Sequence, residues 1–308
     1  MENNTAVDLS FSVPEELSGL RLDKAISEYY EQISRSGITR IIKDGGVLVG
    51  GTPAKASYQV STDDRVEFSL PECGIPDIVA EDIPLDILYE DEGMLIVNKP
   101  KGMVVHPAAG HYTGTLVNAL MYHCRDLSGI NGVLRPGIVH RIDKDTTGSV
   151  IVCKNDKAHR EIAEQLAVHS IDRRYRAVVH GRLKDDRGTI DLPIARSRND
   201  RKKMAVDPSG KRAVTHYEVL ERFSEYTYVE CRLETGRTHQ IRVHMTHIGH
   251  PILGDETYGA RRSKVHAEGQ TLHAYFLGLK SPATGEYIEV TAPLPEYFRN
   301  ILDKVRSV

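Results

Sequence analysis

Hydrophobic positions change period several times along this chain, and the changes divide it. Leu22, Ala25, Ile26, Tyr29 and Tyr30 recur at helical spacing and give one apolar face. Ser34 or Ser36 can cap a second short helix carrying Ile38, Ile41 and Ile42, which Gly45-Gly46 ends. Val47-Leu48-Val49 reads as a strand and Gly50-Gly51 as its hairpin turn, with further strand positions at Val60, Val66 and Phe68. Residues 71–84 are rich in Pro, Gly and acidic side chains and read as a linker. Beyond them, Ile87-Leu88-Tyr89 and Met94-Leu95-Ile96-Val97 flank Glu90-Asp91-Glu92-Gly93, a hairpin signal. Thr113 is placed to cap a helix bearing Leu116, Ala119, Leu120 and His123, and Ala158, Ile162 and Leu166 mark another helix. Val150-Ile151-Val152-Cys153 is an apolar strand, and Tyr175, Ala177 and Val179 alternate with Arg174, Arg176 and Val178 in a further one. Strands that do not alternate strictly with helices argue for an α+β fold: a mixed, largely antiparallel sheet with flanking helices. The expected division is a small unit over 16–70, a linker over 71–84 and a larger unit over 85–308.

Composition narrows the class without naming the chemistry. The 308 residues suffice for two domains. With 40% hydrophobic and 27% charged residues they suit a globular protein, and no run approaches the ~18 apolar residues of a membrane span. The polar start Met1-Glu2-Asn3-Asn4-Thr5 lacks the features of a secretion signal. Cys73, Cys124, Cys153 and Cys231 are scattered, so reduced thiols and a cytoplasmic location are expected. His239, His244, His247 and His250 do not form an H-E-x-x-H arrangement, and no metal site is expected. A net charge of −3 argues mildly against nucleic acid, but RNA binding needs cations only on one face. Local clusters exist at Arg173-Arg174-Tyr175-Arg176, over Arg196–Lys203 and at Arg261-Arg262.

The most specific stretch is Gly137-Ile138-Val139-His140-Arg141-Ile142-Asp143-Lys144-Asp145-Thr146-Thr147-Gly148. In an extended segment Arg141 and Asp143 project to one face, a cation beside a carboxylate. An isolated R-x-D is usually a surface ion pair, and Asp143 can equally cap a turn, with Asp145 a competitor two residues on. The flanking residues decide for chemistry. His140 to Gly148 resembles the H-R-L-D-x-x-T-S/T-G signature of the RluA/RluD family of pseudouridine synthases. Leu95 to Pro107 resembles that family's entry loop. Leu233-Glu234-Thr235-Gly236-Arg237-Thr238-His239-Gln240-Ile241-Arg242-Val243-His244 resembles its second signature, extended by Pro251 to Asp255 and Tyr258-Gly259. Arg21 to Lys24, Ser34 to Ser36 and Ile42 to Val49 are similar to an α-L RNA-binding domain, the type named after a small-subunit ribosomal protein. The chain departs from that pattern at Gly50, where Asn is usual, and at Asp63, where Gly is common; both keep turn chemistry.

The resemblance implies an isomerase that converts uridine in RNA to pseudouridine, by breaking the ribose–nitrogen bond, turning the base and rejoining the sugar to a base carbon. No net redox change occurs, so no cofactor is expected. It implies Asp143 as the carboxylate that attacks the sugar or assists departure of uracil, and Arg242 as its ion-pair partner. It implies Tyr175 as the ring against uracil, and Arg141 as the group that fills the space left by the flipped base. Arg35, Arg40 and Lys43 are the candidate phosphate contacts of the small unit, or ordinary helix-surface charge. Large-subunit ribosomal RNA is the expected substrate and transfer RNA the alternative, acted on by a monomer. A non-catalytic RNA-binding or ribosome-assembly factor, and an N-glycosidase that releases the base, remain competing classes.

Overall fold

A computed structural model describes residues 7–30, 35–70, 79–107, 111, 113–124, 127–128, 136–200, 203–260 and 262–308. The chain forms two compact units that divide between Asp77 and Ile78.

The first unit holds β1 (Val7–Ser12), α1 (Leu22–Tyr29), α2 (Arg35–Lys43), β2 (Val47–Val49), β3 (Thr52–Pro53) and β4 (Arg65–Leu70). Its antiparallel sheet runs β1-β4-β2-β3. The helical period of α1 buries Leu22, Ala25 and Ile26 against Ile38 and Ile42 of α2 and against Val47, Val66 and Phe68 of the sheet. β1 was not anticipated, although Leu9 and Phe11 of this alternating segment pack on that same core. α2 begins at Arg35, so Ser36 lies inside it rather than capping it, and Ser34 lies outside the described residues. Gly50 and Gly51 both have positive φ, as a two-residue I′ hairpin demands, and Asp63 takes the left-handed conformation at φ 66° that Asp tolerates.

The second unit contains β5 (Ile87–Glu90), β6 (Met94–Lys99), α3 (Leu116–His123), β7 (Thr147–Cys153), α4 (Asp156–Ala167), β8 (Asp172–His180), β9 (Arg187–Asp191), β10 (Ile194–Arg196), β11 (Met204–Val206), β12 (Val214–Arg222), β13 (Tyr226–Leu233), α5 (Gln240–His247), β14 (Leu272–Lys280), β15 (Tyr287–Thr291) and α6 (Glu296–Arg306). One sheet runs β5-β6-β7-β14-β8-β13-β12-β9, with β15 on β14; β10 and β11 form a separate ribbon. Every pairing in the large sheet is antiparallel except β14 on β7. The fold is therefore the expected mixed, largely antiparallel sheet with flanking helices.

Alternation explains how β6, apolar at four successive positions, is used. Leu95 and Val97 join one core with α3 and α5, while Met94 and Ile96 join another with α4. Each such side chain contributes about 1.5–3 kcal/mol when fully buried. Thr115, not Thr113, caps α3. Its hydroxyl accepts from the Asn118 N–H at 3.3 Å, while Asn118 Oδ1 accepts from the Thr115 N–H at 3.0 Å. That reciprocal arrangement needs a polar residue three places on, which Thr115 has in Asn118 and Thr113 lacks in Leu116. Of the expected linker, residues 71–78 lie outside the described residues. The rest runs beside α3, where Asn118 Nδ2 donates to the Val79 carbonyl at 2.8 Å.

Gly148 is a close approach that only glycine permits. With φ 105°, a Cβ there would stand 2.2 Å from the Ala274 carbonyl oxygen. The contact locks β7 to β14 immediately after the Asp143 loop.

Candidate active site

Asp143 lies on a short irregular segment ahead of β7, where its carbonyl accepts from the Thr146 N–H at 3.1 Å and turns the chain into the strand. Arg141, Asp143, Tyr175 and Arg242 line one cleft of about 820 Å³. The Arg141-Ile142-Asp143 segment is not in a strand, yet it alternates as expected: Ile142 is buried, Arg141 is exposed and Asp143 is half-buried.

The expected Asp143–Arg242 pair is present. Nη1 of Arg242 donates to Asp143 Oδ2 at 2.7 Å. Sequence reasoning did not anticipate what holds Arg242. Its Nε and Nη2 donate to the two oxygens of Asp255 at 2.7 and 2.9 Å, a bidentate fork. Asp255 is buried and also accepts the backbone N–H groups of Thr257 and Tyr258. These donors hold its carboxyl below the usual carboxylate range against the cost of burial. Two carboxylates in turn keep Arg242 strongly basic despite desolvation. The guanidinium is thus fixed by Asp255 and presents its remaining edge to Asp143.

His239 stands on the other side of Asp143, with Nε2 at 3.8 Å from Oδ1. It occupies the left-handed region at φ 56° as the N-cap of α5. Such strain in a non-glycine residue persists where the surroundings over-determine it. Tyr258 is the visible restraint: its hydroxyl accepts from the Met204 N–H at 2.7 Å and lies 2.9 Å from His239 Nδ1. Gln240 anchors the preceding turn, donating to the Val214 carbonyl and accepting from the Thr235 hydroxyl. His239 and Gln240 therefore hold the Arg242 segment.

A second unforeseen residue is Lys99 at the end of β6. It is fully buried, and Nζ donates to the carbonyls of Pro100, Met103 and Lys144 at 2.8, 2.8 and 2.9 Å. It ties the entry loop to the residue following Asp143. Burial pushes its amine down to about 7, opposed by Asp145 and Asp143. Its position inside Asn98-Lys99-Pro100 was the signal available in sequence.

Tyr175 projects from β8 into the cleft and is nearly buried, and that burial raises its phenol above the ordinary value. Of its cationic neighbours, only Arg173 shares the cleft; Arg174 and Arg176 lie on the far face of β8 over Phe276 and Tyr275. The basic cluster read from sequence is therefore split between two faces. The segment Leu272-His273-Ala274 is wall and core: Leu272 lines the cleft, and His273 is buried between the Thr147 hydroxyl and the Ala292 carbonyl. In the first unit Lys43 is exposed at the end of α2, and the side chains of Arg35 and Arg40 lie outside the described residues. Arg201, Lys202 and Arg261 also lie outside them. Among the described residues no cluster of three or more His, Cys, Asp or Glu is placed to hold a metal ion, and no helix is long and apolar enough to cross a membrane.

A carboxylate paired with a fixed guanidinium, beside a buried phenol in a cleft wide enough for a base, is a set of groups suited to chemistry at a sugar carbon. Residues 93–247 match the RNA pseudouridylate synthase family, and residues 20–66 match the S4 domain. The chain is 52% identical to an uncharacterized RNA pseudouridine synthase, YlyB, of Bacillus subtilis, over 97% of this chain and 98% of that one. It is 45% identical to the ribosomal large subunit pseudouridine synthase D of Pseudomonas aeruginosa, over 96% and 95% of the two chains. Among solved structures it resembles human RNA pseudouridylate synthase domain containing 1 with a TM-score of 0.58 and 26% identity, covering 70% of this chain and 86% of that one. Family match, length-spanning relatives and site geometry converge: the chain belongs to the RluA/RluD family of RNA pseudouridine synthases and is an enzyme that isomerises uridine in RNA.

Proposed function

We propose that this enzyme modifies specific uridines of large-subunit ribosomal RNA in the cytoplasm, with Asp143 as the nucleophilic carboxylate. The observation that carries the assignment of Asp143 is the chain Asp255–Arg242–Asp143, in which one carboxylate fixes the guanidinium and the other is left facing the cleft. In this reading the target uridine leaves its stack and enters the cleft, at a cost of a few kcal/mol. Arg141, exposed at the rim, takes up the space it vacates. Asp143 attacks the ribose or stabilises it as the bond to the base nitrogen breaks. The uracil turns against Tyr175, and its C5 bonds to the sugar carbon as any bond from that carbon to Asp143 breaks and returns its electron pair to the carboxylate. The C5 proton is lost while N1 takes one up, so that no net proton is consumed. Arg242 keeps Asp143 in place through the 2.7 Å contact. Relatives named for the large ribosomal subunit support that substrate over transfer RNA. The small unit, with Arg35, Arg40 and Lys43 on α2, is assigned to phosphate contacts on the same RNA. The enzyme is taken to act as a monomer without metal or cofactor.

The test is to incubate the purified protein with unmodified large-subunit ribosomal RNA, without added metal, and map pseudouridine by base-specific chemical labelling. New sites are expected with the wild type and none with Asp143→Asn, whose RNA affinity should stay within severalfold. Full activity of D143N removes Asp143 from the nucleophile role. Modification of transfer RNA alone keeps the chemistry and overturns the substrate.

A further inference from the structure

Arg242 and Arg173 are equally buried in the second unit, each 6% exposed, and their partners differ completely. Arg242 has two carboxylates. Among the described residues Arg173 has no carboxylate partner. Its Nη2 donates to the Glu234 carbonyl at 2.9 Å, and its buried Nε has no hydrogen-bond partner. A carbonyl satisfies one N–H but does not neutralise a guanidinium, and a buried unpaired charge is costly. Room is nevertheless kept for it: a Cβ on Gly236 would come within 2.8 Å of Nη1.

The surroundings are built to receive an anion. β7 pairs with β14 only at Thr147 and Gly148, so the backbone of β7 past Gly148 is not bonded to β14. The Ile151 N–H donates to Nε2 of His140 at 2.9 Å. That bond places the ring proton on Nδ1 of a neutral imidazole, whose pKa burial and the Arg173 charge push down to about 3. His140 and Arg173 line the same cleft, along with Ala163 and Ala167 of α4. Among the described residues lining that cleft, the arginines are Arg141, Arg173, Arg196, Arg237 and Arg242, and the sole carboxylate is Asp143, which Arg242 already holds.

We propose that Arg173, assisted by the His140 N–H, binds a backbone phosphate next to the flipped uridine, and so fixes the sugar between Asp143 and Tyr175. The proposal rests on the RNA-isomerase reading and adds a subsite to it. Spacing along β8 fits: Arg173 and Tyr175 share a face two residues apart, roughly 7 Å at a strand's rise, so the base lies at the tyrosine and its phosphate at the arginine. The anion supplies the counter-charge that the folded protein lacks, and Arg173 thereby distinguishes a nucleotide within a polymer from a free nucleoside.

Equilibrium dialysis with radiolabelled uridine, uridine 5′-monophosphate and uridine 3′-monophosphate tests this on the full chain. The wild type is expected to bind one monophosphate at least tenfold more tightly than uridine. Arg173→Met should bind all three alike, and Arg173→Lys should keep part of the preference. Should the Met variant fail to fold by circular dichroism, Arg173→Gln, which keeps a donor for the Glu234 carbonyl without the charge, takes its place. No preference in the wild type, or a preference that survives in the neutral variant, overturns the subsite. The two readings fail separately. Pseudouridine formed on ribosomal RNA without a phosphate preference counts against Arg173 alone. A phosphate preference without pseudouridine counts against the isomerase substrate alone.

Discussion

Strand β8 carries three arginines within four residues, and its two faces treat them in opposite ways. On the far face Arg174 donates to Asp172 at 2.9 Å and lies over Phe276. Arg176 on that face pairs with Glu230 at 2.9 Å and lies over Tyr275. Each charge there has an opposite charge and an aromatic ring. On the cleft face Arg173 has neither a carboxylate nor a stacked ring among the described residues, and the nearly buried Tyr175 lines the same cleft. Residue type is the same on both sides. Along β8, what separates the two faces is whether the protein supplies the arginine's counter-charge, and on the cleft face we leave that to the proposed phosphate.

The largest effect expected on the cleft side comes from removing the support beneath Asp143. Asp255→Asn takes away the charge that fixes Arg242 and leaves the fork N–H groups facing a weaker acceptor. Breaking a buried pair in this way costs about 3–5 kcal/mol, so urea denaturation should show a marked drop in midpoint, with pseudouridine formation falling along with it. Stability unchanged in D255N would mean that Arg242 is held by other contacts. Tyr175→Phe comes next and separates ring from hydroxyl. The ring stays within the same buried hydrophobic cluster as Ala177 and Val229, so folding is expected to be kept. Loss of a positioned proton donor or acceptor typically lowers turnover by about 10²–10⁴, and a reduced kcat at similar KM on ribosomal RNA is the expected result. A normal kcat would leave Tyr175 with stacking alone.

Long periodic segments were the legible part of the fold: α4 from Ala158, Ile162 and Leu166, and β8 from its alternation, both stand where their spacing put them. Less regular features were not read. β1 has its alternating residues, but nothing local says that an opening segment returns to pair with β4, far along the chain. The α3 cap went to Thr115 because Asn118 completes a reciprocal pair, a signal present in sequence but weighed less than position. That Asp143, Tyr175 and Arg242 meet in one cleft was legible through resemblance to long motifs. Asp255 was quoted within such a motif without a role, because its partnership with Arg242 is a matter of three-dimensional distance. The division of the arginine cluster between two faces follows from alternation, which was available. The missing counter-charge at Arg173 does not, since it depends on which acidic side chains the fold brings near.

The smallest effects belong to the far face, and they test whether the comparison holds. Arg174→Ala and Arg176→Ala each remove a partly exposed ion pair, worth about 0–1 kcal/mol, together with a cation–π contact of similar size. Asp172 would keep Arg232 at 3.1 Å, so its charge is not left alone when Arg174 is lost. Glu230 loses more with Arg176, since both of those side chains are mostly covered, at 18% and 17% exposure. Stability should therefore fall slightly in the order Arg176 then Arg174, and pseudouridine formation should stay within about twofold of the wild type because neither side chain lines the cleft. A large loss of activity in either variant, with stability kept, would show that RNA reaches the far face as well, and the division of labour across β8 would then be false.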